Sequence, residues 1–135
     1  MLKLIIGVKG TGKTKNLINL VNTAAENSHG DVVCIEKGTK LRFDVKYTAR
    51  LIDVNEYFVD DAQSLYGFIA GILASNHDVT DLFVDSALKI CNNDVVAFDK
   101  FVEEVAALSD KINLNVTITS SLPVDEASET VKKYL

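Results

Sequence analysis

No stretch of this sequence approaches the roughly 18 consecutive apolar residues that a membrane-crossing helix requires, so no membrane span is expected. The opening run Met1-Leu2-Lys3-Leu4-Ile5-Ile6 is too short for the apolar core of a signal peptide and leads straight into a glycine-rich loop. Proline occurs once, and 47% of the residues are hydrophobic, which favours a buried core over disorder. Cysteine occurs twice, as the isolated Cys34 and Cys91. A chain with a core of its own needs no staple, so reduced thiols in a cytoplasmic protein are the simplest account, with Cys34 buried in a strand. Repeats, low-complexity tracts and Pro/Gly/Ser linkers are also missing. Residues 1–135 therefore read as a single domain.

What charge there is lies unevenly. The net charge is −5. Residues 1–50 carry nine Lys/Arg against four Asp/Glu, whereas residues 51–135 carry five against fifteen. An acidic protein is a poor candidate for sequence-independent wrapping of nucleic acid. A basic first half suits a phosphate site there, and opposite halves would suit head-to-tail self-association.

Strand and helix patterns alternate along the whole length, which predicts an α/β fold with a mostly parallel sheet. Leu2–Ile6 is a continuous apolar run of the kind buried on both faces. A helix from about Lys13 places Leu17, Leu20, Val21, Ala24 and Ala25 on one face. His29-Gly30 would end it, with glycine in the left-handed position. Val32–Lys37 and Lys40–Val45 read as a hairpin about Gly38-Thr39, giving a hairpin over residues 32–45. Ala49–Val54 reads as a short strand. A helix over about Asp60–Asn76, a strand Thr80–Asp85, a helix over about Asp94–Asp110 and a strand Leu114–Thr119 follow. A last helix is expected near Pro123.

Between the first strand and first helix lies Gly7-Val8-Lys9-Gly10-Thr11-Gly12-Lys13-Thr14, a gapless G-x-x-x-x-G-K-[ST]. Chance alone gives such a match roughly once in a few hundred chains of this length, and far less often between a strand and a helix. The chemistry needs that order. Glycines let the backbone curl so that N–H groups converge on phosphate oxygens, and the helix start adds its positive end. In this pattern Lys13 reaches the β- and γ-phosphates, and the Thr14 hydroxyl is a ligand for Mg²⁺.

The motif and its context resemble the P-loop NTPase superfamily, whose loop signature is the Walker A pattern. Gly10-Thr11-Gly12-Lys13-Thr14 looks like the loops of the RecA-like and AAA-type ATPases. The resemblance implies a three-layer fold with helices on both faces of the sheet. It places the strand Leu114–Thr119 between Leu2–Ile6 and Thr80–Asp85. It also implies an acid at the end of a second apolar strand, which Asp81-Leu82-Phe83-Val84-Asp85 supplies; Asp85 would then act on Mg²⁺. Where many such ATPases carry a glutamate after that aspartate, this chain has Ser86. The resemblance then points to Glu36, ending Val32–Ile35, as the base that orients water, with Asp60 and Asp61 as weaker candidates. Thr119 and Ser120 occupy the strand end where a sensor of the γ-phosphate is expected. Catalysis is thus assigned to Lys13, Glu36 and Asp85, nucleotide binding to Gly7–Thr14 and Thr119, and the metal to Thr14 and Asp85.

The segment Lys37–Arg50 holds five cationic residues, among them the only two arginines, with Phe43 and Tyr47 between them. A solvated hairpin guarding a sheet edge is the plainest account. Two others stay open. Arg42 or Arg50 reaches the nucleotide of a second copy, or the cationic and aromatic residues bind nucleic acid, which is not favoured. His29 and His77 each follow a helix, in no metal-ligand spacing.

The leading expectation is a Mg²⁺-dependent ATPase, with ATP preferred to GTP because no Asn-Lys-x-Asp guanine reader is present. The second is a nucleotide-gated binding protein that hydrolyses slowly or not at all, which Ser86 favours. A small-molecule or nucleoside kinase is third, because 135 residues leave little room for lid and acceptor segments.

Overall fold

The computed structural model describes residues 1–135. Five parallel strands form one sheet: β1 (Leu2–Ile6), β2 (Asp31–Glu36), β3 (Ala49–Asp53), β4 (Val79–Val84) and β5 (Asn115–Ser120), in the order β1-β5-β4-β2-β3. β5 therefore lies between β1 and β4, as expected. The register aligns Ile6 with Ser120 and Val84 with Ile118, which brings the carboxyl ends of these strands to one edge.

Five helices connect them: α1 (Lys13–Asn27), α2 (Ala62–Ser75), α3 (Ala87–Ile90), α4 (Val95–Ile112) and α5 (Glu129–Lys132). Alternation along the strands divides the apolar side chains into two cores. Val32 and Cys34 of β2 and Phe83 of β4 pack with Leu17 and Val21 of α1. Val33, Ile35, Leu82 and Val84 face the other way, toward Leu65 and Ile69 of α2 and Phe98, Phe101 and Val105 of α4. Helices thus cover both faces. The second core is the larger, and truncating a buried phenylalanine there to alanine would cost about 3–5 kcal/mol.

The structure corrects three expectations. There is no hairpin at residues 32–45. β2 and β3 are parallel, so Lys37–Thr48 runs back along the sheet as a chain of turns. Leu41-x-Phe43-x-Val45 imitates strand alternation, yet Leu41 and Val45 are buried against α1 while Phe43 is 85% exposed. Amides of Asp44 and Val45 both donate to the Leu41 carbonyl at 3.0 Å, which is a turn and not a ladder. The second correction concerns Gly30. It does not take the left-handed conformation; Ser28 ends α1 with an extended backbone. Glycine is needed because a β-carbon there would lie 2.2 Å from the Asp78 carbonyl oxygen. Thirdly, Pro123 begins only a single turn (Val124–Glu126), and α5 starts after Ser128, whose hydroxyl accepts from the Val131 amide at 3.1 Å. No helix is long and apolar enough to cross a membrane.

Gly30→Ala should lower stability by about 1–3 kcal/mol, the range for overpacking against a part that cannot move aside. Urea denaturation checks this; an unchanged midpoint would show that Asp78 yields at no cost.

Candidate functional site

At the carboxyl edge of the sheet, β1 runs into the loop Gly7–Thr14, which opens α1. Gly12 is the residue before the helix and has φ +83°, a conformation L side chains rarely adopt. No side chain caps α1, and its first turn holds no acid. α2 and α4 differ: the aspartates Asp61 and Asp94 cap them by accepting from Ser64 and Ala97 amides. The positive end of α1 is left for an outside acceptor. Within the loop, the Lys13 ammonium donates to the Val8 carbonyl at 2.8 Å, and the Thr11 hydroxyl donates to the same oxygen at 2.8 Å.

Beside the loop stands Asp85, just beyond the end of β4. It is 9% exposed. Three hydroxyls meet its carboxylate. Thr14 donates at 3.2 Å, Thr119 donates at 2.7 Å, and Ser86 donates at 3.4 Å. Thr119 also accepts the Ser86 amide at 2.8 Å, which ties the end of β5 to the turn after β4. No lysine or arginine pairs with Asp85; the ion pairs of this structure are Lys46–Glu26 and Lys132–Glu129. A nearly buried carboxylate ordinarily needs a positive partner. A hydroxyl and a carboxylate are hard oxygen donors of the sort Mg²⁺ takes, usually with one or two carboxylates completed by phosphate oxygens and water. Thr14 and Asp85 could hold such an ion.

These residues line a cleft of about 680 Å³. Its walls carry Lys9, Lys13, Lys15, Lys37, Lys40 and Lys89 against only Glu36 and Asp85. An acidic protein thus has one strongly positive hollow. The gathered charge and the uncapped helix start fit a polyanion. Lys89, Ser86, Asn93 and Ser121 also line it and were not singled out from sequence; Ser86 was noted only as a missing glutamate.

Glu36 ends β2 next to Asp85, and lies in the cleft wall at 4% exposure. Its carboxylate accepts the Leu41 amide at 3.3 Å. Burial pushes its pKa above the usual carboxylate range; the Leu41 and Lys40 amides oppose this, and the charges of Asp53 and Asp85 add to it. Asp60 and Asp61 do not line the cleft. Asp61 is taken up in capping α2, and the Ser64 hydroxyl and amide hold its carboxyl below the usual range. Cys34 and Cys91 are both buried, and burial raises both thiols, Cys91 to about 12.

No family model matches the chain, and no curated protein matches it either.

Neither Arg42 nor Arg50 joins this cleft. Both line a neighbouring hollow of about 330 Å³ with Asp53, Glu56 and Tyr57, and Glu36 borders both spaces. The Arg42 guanidinium lies 4.7 Å above the ring of its own neighbour Phe43. The Lys46 amide is held by the Asn22 side chain, which together with Lys46–Glu26 pins the segment to α1.

Thr119→Val keeps the shape of the side chain but removes one donor from Asp85 and the acceptor for the Ser86 amide. Stability should fall by about 1–3 kcal/mol, the cost of leaving buried polar groups unsatisfied. Chemical denaturation reads this directly; no loss would mean water replaces both bonds.

Proposed function

We propose that this protein binds a nucleoside triphosphate with Mg²⁺ through Gly7–Thr14 and hydrolyses it, with ATP as the natural nucleotide. One observation carries the reading. The uncapped start of α1 opens, with Lys13, onto a lysine-lined cleft beside the Thr14–Asp85–Thr119 cluster, in which Asp85 and Thr119 are buried. The complete phosphate-loop motif at the same place supports it independently.

On this reading Lys13 exchanges its internal carbonyl partner for phosphate oxygens. Thr14 and Asp85 would hold Mg²⁺, which would supply positive charge against that developing on the transferred phosphoryl group. Thr119 fixes the Asp85 carboxylate and holds the turn at Ser86 in place. Glu36 orients the attacking water from the end of β2, where its raised proton affinity suits a base. Any arginine at the nucleotide comes from a second copy, since neither Arg42 nor Arg50 lines the cleft of its own chain. The protein is proposed to work in the cytoplasm.

A second reading, a nucleotide-gated binding protein with little or no hydrolysis, is favoured by two observations. The Glu36 carboxylate is already engaged by the Leu41 amide, and Ser86 follows Asp85. Phosphate release from Mg-ATP by the purified protein separates the two: turnover supports the ATPase, and tight binding without turnover supports the switch.

Lys13→Ala should weaken Mg-ATP affinity about tenfold or more, because a charge-assisted phosphate contact is lost, while leaving the fold intact. A wild-type protein that binds no Mg-ATP at millimolar nucleotide would end the proposal. Glu36→Gln should bind ATP normally and turn it over about 10²-fold more slowly or worse. Unchanged turnover in that variant would take the base role from Glu36.

A further inference from the structure

The lysines of the cleft are not equivalent. Lys9, Lys13 and Lys15 belong to the glycine loop and the start of α1, and Lys37 and Lys40 to the crossover of turns. Lys89 alone comes from the segment that directly follows Asp85, on the one-turn helix α3.

That segment is held unusually firmly for its length. The Ser86 amide donates to the Thr119 hydroxyl at 2.8 Å, and the Leu88 amide to the Ser120 hydroxyl at 3.3 Å. Ala87, Leu88, Ile90 and Cys91 are all buried, so Lys89 is the one exposed side chain of that stretch. Beyond it, the Asn92 side chain donates to the Asp60 carbonyl at 2.6 Å. Three residues other than glycine, Ser86, Asn92 and Asn93, take left-handed backbone with φ +58° within eight positions. Such conformations cost energy and persist where surrounding contacts enforce them, commonly at ligand sites. The result is a bracket, anchored to β5 and to Asp60, that places one lysine in the cleft wall. No carboxylate pairs with it.

We infer that Lys89 is the residue of this chain that reads the terminal phosphate, contacting the group that a triphosphate has and a diphosphate lacks. The inference rests on the nucleotide reading proposed above. In that reading Thr14 and Asp85 would hold the cation that offsets charge on the transferred, terminal phosphoryl group, so their side of the cleft is the terminal end of the phosphate chain. Lys89 follows Asp85 by four residues, on a bracket tied to the end of β5, and a lysine carries its charge on a flexible four-carbon stem. It supplies within the chain the positive charge that neither arginine provides. It also makes ATP and ADP distinguishable, which either a hydrolase or a switch requires.

The test is the affinity of the full-length protein for Mg-ATP and Mg-ADP, measured by calorimetry for wild type, K89A, K89R and K100A. Lys100 is exposed on α4 and does not line the cleft. Wild type should prefer ATP. K89A should lose about tenfold or more of its ATP affinity with ADP affinity unchanged. K89R should retain most of the preference, and K100A all of it. Matching circular dichroism spectra establish that the variants are folded, and K89Q, closer in length, replaces K89A if that variant is not. Equal losses for ATP and ADP would reduce Lys89 to a general positive field and overturn the inference. So would an unchanged K89A, or a wild type that binds both nucleotides equally; each leaves the nucleotide reading standing. A wild type that binds neither would instead overturn that reading, and this inference with it.

Discussion

Asp85 places a carboxylate in a nearly buried position among hydroxyls alone, and much of the surrounding geometry serves that placement. Its neighbours are Thr14 at the start of α1, Thr119 at the end of β5 and Ser86 in the turn beyond β4. Three separate elements converge on one group whose charge has no cationic side chain beside it. The parallel register makes this convergence unavoidable, because β1, β5 and β4 all end at the same edge. A sheet with one of these strands reversed would send its polar end to the opposite edge.

The second organising feature is the contrast between helix starts. Evolution of a stable helix usually supplies Ser, Thr, Asp or Asn at the N-cap, and α2, α4 and α5 have them in Asp61, Asp94 and Ser128. α1 forgoes this, beginning instead from a left-handed glycine with lysines in and before its first turn. Such an arrangement is locally unfavourable. It becomes sensible once an anion supplies the missing acceptors, which is the physical core of the proposed function.

The crossover Lys37–Thr48 has a different standing. It lacks regular structure, but it is anchored at Leu41 and Val45 in the core beneath α1 and at Lys46 on the helix surface. Glu36 joins this segment to the cleft, since one carboxylate both faces the cleft and holds the Leu41 amide. Reorientation of Glu36 toward a ligand would release that amide. The surface bearing Arg42, Phe43 and Tyr47 is therefore mechanically adjacent to the site, although it does not line it.

Local rules determined much of this protein from sequence alone. The continuous apolar run at Leu2–Ile6, the helical spacing after Lys13 and the period of α2 and α4 each place an element to within a few residues, because burial of one face or two leaves its period in the sequence. The loop Gly7–Thr14 stands out because its motif is contiguous, and Asp85 is pointed to by the resemblance that motif carries; the folded chain joins the two through the Thr14–Asp85 hydrogen bond. Tertiary structure decided the rest. Leu41, Phe43 and Val45 alternate as a strand would, and only the parallel placement of β3 turns that stretch into a crossover with Phe43 outward. Gly30 resembled a helix stop, whereas the approach of Asp78, distant in sequence, dictates it. Lys89 carries no local signal at all. It lines the cleft because its neighbours Ala87, Leu88, Ile90 and Cys91 are buried and the segment is tied to β5, and burial against distant strands is a property of the folded chain and not of the segment.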